Sequence, residues 1–500
     1  MGKLKTYDQT GTVAWVDLWL IFVPGALVYS KFNGVERLYR LQDIFDPTKG
    51  AKNSDRPRFW VLFMRSTDWN GENFGYKEST WRIYHYSGLM PITELRHCPL
   101  KFLPDRGEIK HRLLVRGRKF EQMRGYHFKF YKGQRHLLDW DRMIQEAPKE
   151  ISKPTSDRVI IDALAYHKFA YGTNSFLHPL NSANKEPTAT EAKPSLGLTP
   201  EGEPRVERIQ SLSDDQCLIA VTRVKGYDLK DNQWCEFNID GIQDFEWNDG
   251  AFSRLVMPDC EKKILRAFAM RTHLQTAGFD DFITKKGVGK TLAAESLADL
   301  SHVPLYSVSA SNMGKDISEK EKLLKEALQS CQMWNAACLI DEADVFLQAR
   351  SASNLAQNEM VSIFLRRLEY YQGILFLTSN RYDDIDPAFR SRIDFILPFK
   401  DLDAHSARSI WKAFLKDMSR GQIDVSDDEL SELATWRLNG REIKNMVKTG
   451  KVLAASEGEN LNMGHLRVLY EIRERMKPGR PPMKPIKPSR LRSSACNGSD

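Results

Sequence analysis

The chain has no C-x-x-C pair among its seven cysteines, and the count is odd. This excludes a disulfide framework and a paired-cysteine zinc site, and points to an intracellular setting, cytoplasmic or nuclear. Long apolar runs are also missing. The longest, VAWVDLWLIFVPGALVY from Val13 to Tyr29, is interrupted by Asp17 and Pro24-Gly25. It falls short of the ~20 residues that span a bilayer, so a buried helix followed by a turn is expected and no transmembrane segment. Charge of one sign is not in strong excess. Against 73 Lys and Arg stand 66 Asp and Glu, and a net charge of +7 does not by itself argue for a nucleic-acid binder. What is present is 41% hydrophobic, 10% aromatic and 28% charged residues over a length of 500. That composition excludes a wholly disordered or collagen-like chain, and the length suits roughly two to four domains.

From about Phe59 to Gln134 the runs FWVLFMR, STWRIYHYS, HRLLVRGRKF and GYHFKFYKG lie between turn-forming residues and predict strands. The stretch Arg106 to Arg135 is basic and interleaved with Tyr126, Phe128, Phe130 and Tyr131. Such a pattern can stack bases. An antiparallel sheet with one charged face produces it equally, so nucleic acid is a possible partner and not the favoured one. RVIIDALAYHKFAY, Arg158 to Tyr171, is a compact apolar element. His178 to Asp215 is rich in Pro, Ser, Thr, Glu and Lys and reads as a disordered linker. Strand-like runs resume at Cys217, and CEKKILRAFAMRTHLQTAG, Cys260 to Gly278, has helical spacing. The last residues, RMKPGRPPMKPIKPSRLRSSACNGSD, are basic and Pro-rich and read as a solvated tail.

The chemistry lies in the C-terminal half. GVGKT, Gly287 to Thr291, opens a helical run. In the phosphate-loop pattern G-x-x-x-x-G-K-[ST], backbone amides cradle phosphates, Lys reaches the β/γ oxygens and Ser/Thr holds Mg²⁺. Lys290 and Thr291 fit the last two roles, but Thr284 stands where the first glycine belongs. AACLIDEAD, Ala336 to Asp344, is an apolar strand ending in Asp341-Glu342, a metal ligand and a water-orienting carboxylate at the carboxyl end of a buried strand. GILFLTSN is a second such strand, ending in Asn380 at the edge where a γ-phosphate would lie. DIDPAFRSRIDF places Arg390 and Arg392 two residues apart, suited to stabilising charge on a phosphate, often from a neighbouring subunit. LNGREIKNMV offers Arg441 at a helix start.

This order resembles the AAA+ ATPases: Walker A, Walker B, sensor-1 Asn, arginine fingers and a sensor-2 Arg in a small helical lid. FLRRLEYYQGILFLTSNR and RIDFILPF resemble a fungal AAA+ group. There the ATPase follows an N-terminal domain of unknown function with stretches like LWLIFVPG and RVIIDALAY of this chain. The resemblance implies an α/β P-loop core with a helical lid, preceded by a mixed, β-rich N-terminal region. It divides the chain into an N-terminal domain (1–176), a linker (177–216), a β-rich continuation (217–259), the ATPase core (260–400), the lid (401–474) and the tail (475–500). It implies ATP and Mg²⁺ as cofactors, held by Gly287, Val288, Gly289, Lys290, Thr291, Leu292, Asp341 and Arg441, with Thr291 and Asp341 on the metal. Glu342, Asn380, Arg390 and Arg392 are the implied catalytic residues. ATP hydrolysis in a homo-oligomeric ring, a hexamer by analogy, would remodel an unidentified protein substrate.

Two departures stand out. The residues before Gly287, AGFDDFITKK, are polar and hold no apolar run of four. The family has an apolar strand and a G-P-P-G turn here, so the first core strand and half of Walker A are expected to be missing, as if about ten residues were gone. Several buried backbone groups would lose partners at about 1–3 kcal/mol each. The alternative function is therefore an ATP-binding-defective scaffold. The second departure is a missing aromatic pore loop: PLYSVSASNMGKDISEKEKLLKEAL has no aromatic between Ser307 and Leu328, so an aromatic grip on a threaded polypeptide is not expected.

Overall fold

The computed structural model describes residues 2–47, 58–139, 149–171, 176–180, 192–198, 204–208, 211–253, 255–271, 280–285, 290–310, 313–314, 316–350, 354–398, 402–416 and 423–476. The Pro-rich tail beyond residue 476 lies outside them.

The first unit is an antiparallel sheet of β1 (Leu27–Phe32), β2 (Val35–Phe45), β3 (Phe59–Trp69), β4 (Phe74–Tyr84) and β5 (His97–Pro99). With a short later strand on the β4 edge, the spatial order is edge strand, β4, β3, β2, β1, β5. Alternation sets the faces. In β4, Ser79, Trp81 and Ile83 turn toward the protein while Thr80, Arg82 and Tyr84 are exposed. The apolar run Val13–Tyr29 is not one helix. It forms a 3₁₀ turn (Trp15–Asp17) and a single α-turn (Leu18–Ile21), then turns into β1 through Gly25 at φ +84°, a conformation open to glycine. Asp17, the charge inside that run, is buried and accepts the Tyr7 hydroxyl at 2.5 Å.

Helix α1 (Arg106–Gln122) corrects the strand expected at HRLLVRGRKF. Ile109, Leu113, Gly117 and Phe120 are its buried positions, spaced by four, four and three, which is the helical period. Gly117 lets the helix ride against the carbonyl of Cys217, which an added Cβ would meet at 2.0 Å.

The second unit consists of β6 (Tyr126–Asp139), β7 (Lys149–Asp162), an edge strand β8 (His178–Pro179) given back to the first sheet beside β4, β9 (Arg223–Asp228), β10 (Gln233–Asn238) and β11 (Ile242–Gln243). The order β10-β9-β7-β6-β11 is closed on itself by a further β10–β6 pairing. Within the span expected as a linker, the described residues include β8, a hairpin of Ala192–Leu198 with Pro204–Arg208, and the start of the capped helix Asp214–Leu218.

The third unit is a parallel sheet of β12 (Asp280–Lys285), β13 (Leu305–Ser309), β14 (Ala337–Asp341), β15 (Ile374–Thr378) and β16 (Phe395–Pro398), in the order β13-β14-β15-β12-β16. Around it lie α2 (Lys290–Leu300), α3 (Ile317–Trp334) and α4 (Leu355–Leu368). The expected gap at the centre of this sheet is filled. Asp280–Lys285, the polar segment judged unfit for a strand, pairs in parallel with β15 (Ile283 opposite Leu377) and with β16 (Ile283 opposite Ile396). The reason is backbone demand: β15 and β16 each present an inner edge of N–H and C=O groups, and any extended segment satisfies them. A smaller helical unit follows: α5 (Ala404–Lys416), α6 (Asp427–Thr435), α7 (Gly440–Glu457) and α8 (Met463–Arg475), packed around Trp411, Leu433, Ile443 and Leu466.

The second and third units share one hydrophobic core. Ile160, Tyr227 and Leu229 pack with Tyr306, Trp334 and the α3 interior. Asp162 caps a short helix through the Ala165 amide and accepts the Trp334 indole N–H at 2.9 Å; Tyr227 and Tyr306 share a hydroxyl hydrogen bond of 2.9 Å. The Asn232 side-chain amide donates to the Ser307 carbonyl at 2.8 Å. The boundary expected near residue 260 thus does not divide the core.

Candidate active site

The chemistry-bearing residues collect at the carboxyl ends of β14 and β15 and at the start of α2. Lys290 is the first residue of α2, and its ammonium donates to the Ser379 carbonyl at 3.1 Å and to Asn380 Oδ1 at 2.6 Å. Thr291 follows and donates its hydroxyl to Asp341 Oδ2 at 3.4 Å. Thus the residues assigned to Walker A, Walker B and sensor 1 touch one another, across 50 positions in one case and 90 in another. Burial lowers the Lys290 ammonium from its ordinary range, opposed by the negative charges of Asp341, Asp344 and Glu342.

The Asp341–Glu342 pair is held by residues that motif reading passed over. Thr378 donates its hydroxyl to Asp341 and accepts the Glu342 amide at 2.9 Å, while Asp341 Oδ1 also lies 3.2 Å from that amide. Glu342 has φ +55°, rare for a residue with a side chain, and its carboxylate is exposed beyond the strand end. Asp344 accepts the Ser379 hydroxyl and the Arg381 amide, which sets the chain direction on either side of Asn380. The signal for Asp344 was its place in the Asp-Glu-Ala-Asp run; Thr378 and Ser379 directly precede Asn380.

The remaining assigned residues are more scattered. Gly287, Val288 and Gly289 lie outside the described residues. Four positions, 286–289, join β12 to α2, and Thr284, where the first glycine would stand, is inside the strand opposite Thr378. Leu292 is 55% exposed. Arg390 ends a short helix (Pro387–Arg390) and is exposed. Arg392 donates to Glu369 at 2.6 Å and to the Ala388 carbonyl at 2.9 Å. A half-exposed pair of this kind contributes at most about 1 kcal/mol, so it holds the guanidinium only weakly. Arg441 is the second residue of α7 and exposed. Burial raises the Glu295 carboxyl on α2 from its ordinary range, opposed by the charges of Arg158 and then of Lys444 on α7.

Chemically, a hydroxyl and a carboxylate converging at Thr291 and Asp341 form an oxygen donor pair suited to a hard divalent cation. A lysine beside them suits phosphate oxygens. Residues 282–401 match the family model "ATPase family associated with various cellular activities (AAA)". The chain carries an AAA ATPase domain. The matched span covers the five-stranded sheet but for the first two residues of β12, and holds Lys290, Thr291, Asp341, Glu342, Asn380, Arg390 and Arg392; Arg441 lies beyond it. Residues 3–104 match a second family model, the domain of unknown function DUF7025, which spans β1 to β5 of the first sheet.

Relatives match part of the chain at low identity. A putative 26S proteasome regulatory subunit homolog of Methanothermobacter thermautotrophicus is 27% identical over 205 residues, 39% of this chain and 54% of the relative. An ATP-dependent zinc metalloprotease FtsH of Corynebacterium glutamicum is 27% identical over 194 residues, 35% of this chain and 22% of the relative. The chloroplastic FTSH 9 of Arabidopsis thaliana is 27% identical over 192 residues, 35% and 23% of the two chains. The chain thus spans about half the length of the first of these relatives and less of the others.

In the basic, aromatic stretch Arg106–Arg135, part of the aromatic and cationic groups are spent inside the protein. Tyr131 is fully buried, and Phe128 stacks on Trp247 at 5.0 Å. Arg116 donates to the Glu36 carbonyl at 2.6 Å, Lys119 to the Ile242 carbonyl at 2.7 Å, and Arg118 to Glu121 and the Leu212 carbonyl at 2.8 and 2.7 Å. These cations tie α1 to its neighbours. Among the described residues no helix is long and apolar enough to cross a membrane.

Proposed function

We propose that this AAA ATPase binds ATP with Mg²⁺ and hydrolyses it to ADP and phosphate, and that turnover drives remodelling of a protein substrate. The observation that carries this reading is the contact set Lys290–Asn380, Thr291–Asp341 and Asp341–Thr378–Glu342, which joins residues of three separate sequence segments. In this reading Lys290 binds the β/γ-phosphate oxygens, giving up its bond to Asn380. Thr291 and Asp341 hold the cation, which when bound offsets charge on the phosphates. Glu342 orients the attacking water and Asn380 bonds it or the γ-phosphate. Arg390 or Arg392, reaching a neighbouring copy, stabilises charge developing on the transferred phosphate, which calls for a homo-oligomeric ring, a hexamer by analogy. Arg441 is the lid residue that senses nucleotide. The six described cysteines are free, which suits a reducing compartment.

The experiment is titration of a fluorescent ATP analogue into the full chain and into Lys290→Ala. Binding by the wild type in the micromolar range, weakened at least tenfold in the variant, is the expected result. A second reading rests on the short junction at 286–289 and on Thr284 lying inside the strand: a scaffold that holds nucleotide poorly. It gains if the wild type fails to bind the analogue while remaining folded.

A further inference from the structure

The stretch that follows the Asp341–Glu342 pair is tied to the stretch that leads into Arg390 and Arg392. After the single turn Asp344–Leu347 the chain lies beside residues 384–386. The Asp386 amide donates to the Leu347 carbonyl at 2.8 Å, the Ala349 amide to the Asp384 carbonyl at 2.7 Å, and Gln348 pairs antiparallel with Ile385. At the end of this stretch Arg350 closes on Asp386. Its Nε donates to Oδ2 at 2.8 Å, its Nη2 to Oδ1 at 3.4 Å and its backbone amide to Oδ2 at 3.2 Å. The same carboxylate caps the short helix Pro387–Arg390 by accepting the Ala388 amide at 2.9 Å. Burial alone would raise the Asp386 carboxyl; the Arg350 guanidinium and the two amides instead bring it below the usual carboxylate range. Beneath the helix, Phe389 is fully buried and meets Phe364 at 5.7 Å, which in turn meets Phe346 at 5.2 Å. The helix is thus fixed at its start and from below, while Arg390 and Arg392 are exposed.

We propose that Arg350 and Asp386 are positioning residues for turnover in the neighbouring copy of the chain. They aim the helix that carries Arg390, and the turn after it that carries Arg392, at the next subunit's transferred phosphate. This rests on the ring ATPase reading above and adds to it the brace that holds the reaching arginines. Two features favour it over a tie that only supports the fold. First, the Asp386 side chain is 4% exposed and that of Arg350 48%, so a buried anion is matched by a cation at the surface. A neutral asparagine caps a helix as well as aspartate does. The charge adds a two-pronged hold from Arg350, which fixes the direction of the helix as well as its start. Second, the stretch 341–350 begins on the carboxylates assigned to nucleotide chemistry and ends on the brace. One tied segment therefore joins the site of one copy to the arginines offered to the next. Aim matters because a displacement of about 1 Å in a reacting group can cost about 100-fold in rate.

The test is phosphate release from ATP and Mg²⁺ per subunit by the full chain, for wild type, for Arg350→Ala, and for Arg350→Ala co-expressed in equal amount with Glu342→Gln. Arg350→Ala leaves both backbone amides on Asp386, so the helix stays capped and the protein should fold. It should bind a fluorescent ATP analogue as tightly as wild type and turn over about 10- to 100-fold more slowly with KM unchanged. Arg350→Lys keeps the charge without the fork and should fall between the two. In the mixture, Glu342→Gln copies bring intact arginines and idle sites, and Arg350→Ala copies the reverse. Half of the copies then have a working site and half of those meet an intact neighbour, so turnover should rise to about a quarter of the wild-type rate in a head-to-tail ring. Arg350→Ala as fast as wild type, a variant that loses analogue binding as much as turnover, or a mixture no faster than the mean of its parts would each overturn this proposal and leave the ATPase reading standing. A folded wild type that binds nucleotide without turnover would overturn that reading, and this proposal with it.

Discussion

Lys225→Met tests how the DUF7025 sheet is fastened to the rest of the molecule. Lys225, on β9 of the second unit, reaches Asp68 on β3 of the first at 2.8 Å and the Trp69 carbonyl at 3.3 Å. The side chains are 9% and 4% exposed, so the pair is shielded from water and salt. Burial alone would raise the Asp68 carboxyl, but Lys225, with Lys77 and the Trp69 amide, brings it below the usual carboxylate range. Methionine keeps the length of the side chain and removes the charge, leaving the Asp68 carboxylate buried without its counter-ion. Breaking a buried pair in this way costs about 3–5 kcal/mol. For a unit of this size that lowers the melting temperature of the transition involving the two sheets by about 6–20 °C. The assay is thermal melting together with hydrogen exchange of peptides from β3 and β9, which isolates this contact in a chain with several units. Asp68→Leu combined with Lys225→Met should recover most of the loss, because apolar replacement of both partners is often neutral. The pH dependence follows from the sign of the shift. A folded-state value below the unfolded one stabilises the protein above about pH 3.9, and that contribution disappears as pH falls through the lower folded value. A Lys225→Met protein that melts within 2 °C of wild type, with unchanged exchange in both strands, would refute the reasoning.

Two further outcomes are expected. His97 on β5 is buried and its imidazole pushed down to about 4, by burial first and then by the Arg96 charge. The unfolded state binds the extra proton between about pH 6.5 and 4, so stability should fall across that window by about 3 kcal/mol, and His97→Gln should flatten the dependence in pH-resolved urea melts. Thr378→Val keeps shape and removes the hydroxyl that bonds both Asp341 and the Glu342 amide. Turnover should fall about 10- to 150-fold, the equivalent of 1.5–3 kcal/mol for a bond to a charged group, and melting should drop by about 2–12 °C as Asp341 and the Glu342 amide lose a partner.

The residues of the candidate site could be picked out in the sequence because they stand at the ends of apolar runs. A carboxylate pair after four apolar residues, and an asparagine after another apolar strand, announce Asp341, Glu342 and Asn380, and the fold brings both beside Lys290 and Thr291. Thr378 was not legible, and Asp344 only as the last acid of the Asp-Glu-Ala-Asp run: each gains its place in the site from contacts with distant segments. Local composition misled in two places. Asp280–Lys285 has too little apolar character to be read as a strand, yet the edges of β15 and β16 impose that conformation on it. HRLLVRGRKF alternates enough to pass for a strand, whereas its buried positions follow the helical period and its cations serve as ties to carbonyls. The shared core of the second unit and the ATPase sheet was equally hidden, since Asp162 with Trp334 and Tyr227 with Tyr306 are far apart in sequence.

Steady-state phosphate release from ATP and Mg²⁺ by the full chain, beside Glu342→Gln, tests the central claim most directly. The side chain of Glu342 is exposed and only its amide is structurally engaged, so the variant should fold and bind nucleotide as the wild type does. The account predicts measurable wild-type turnover, reduced at least about 100-fold in Glu342→Gln with binding retained, as expected when a water-orienting group is lost. Equal rates in the two proteins, or no turnover by a folded, nucleotide-saturated wild type, would contradict it.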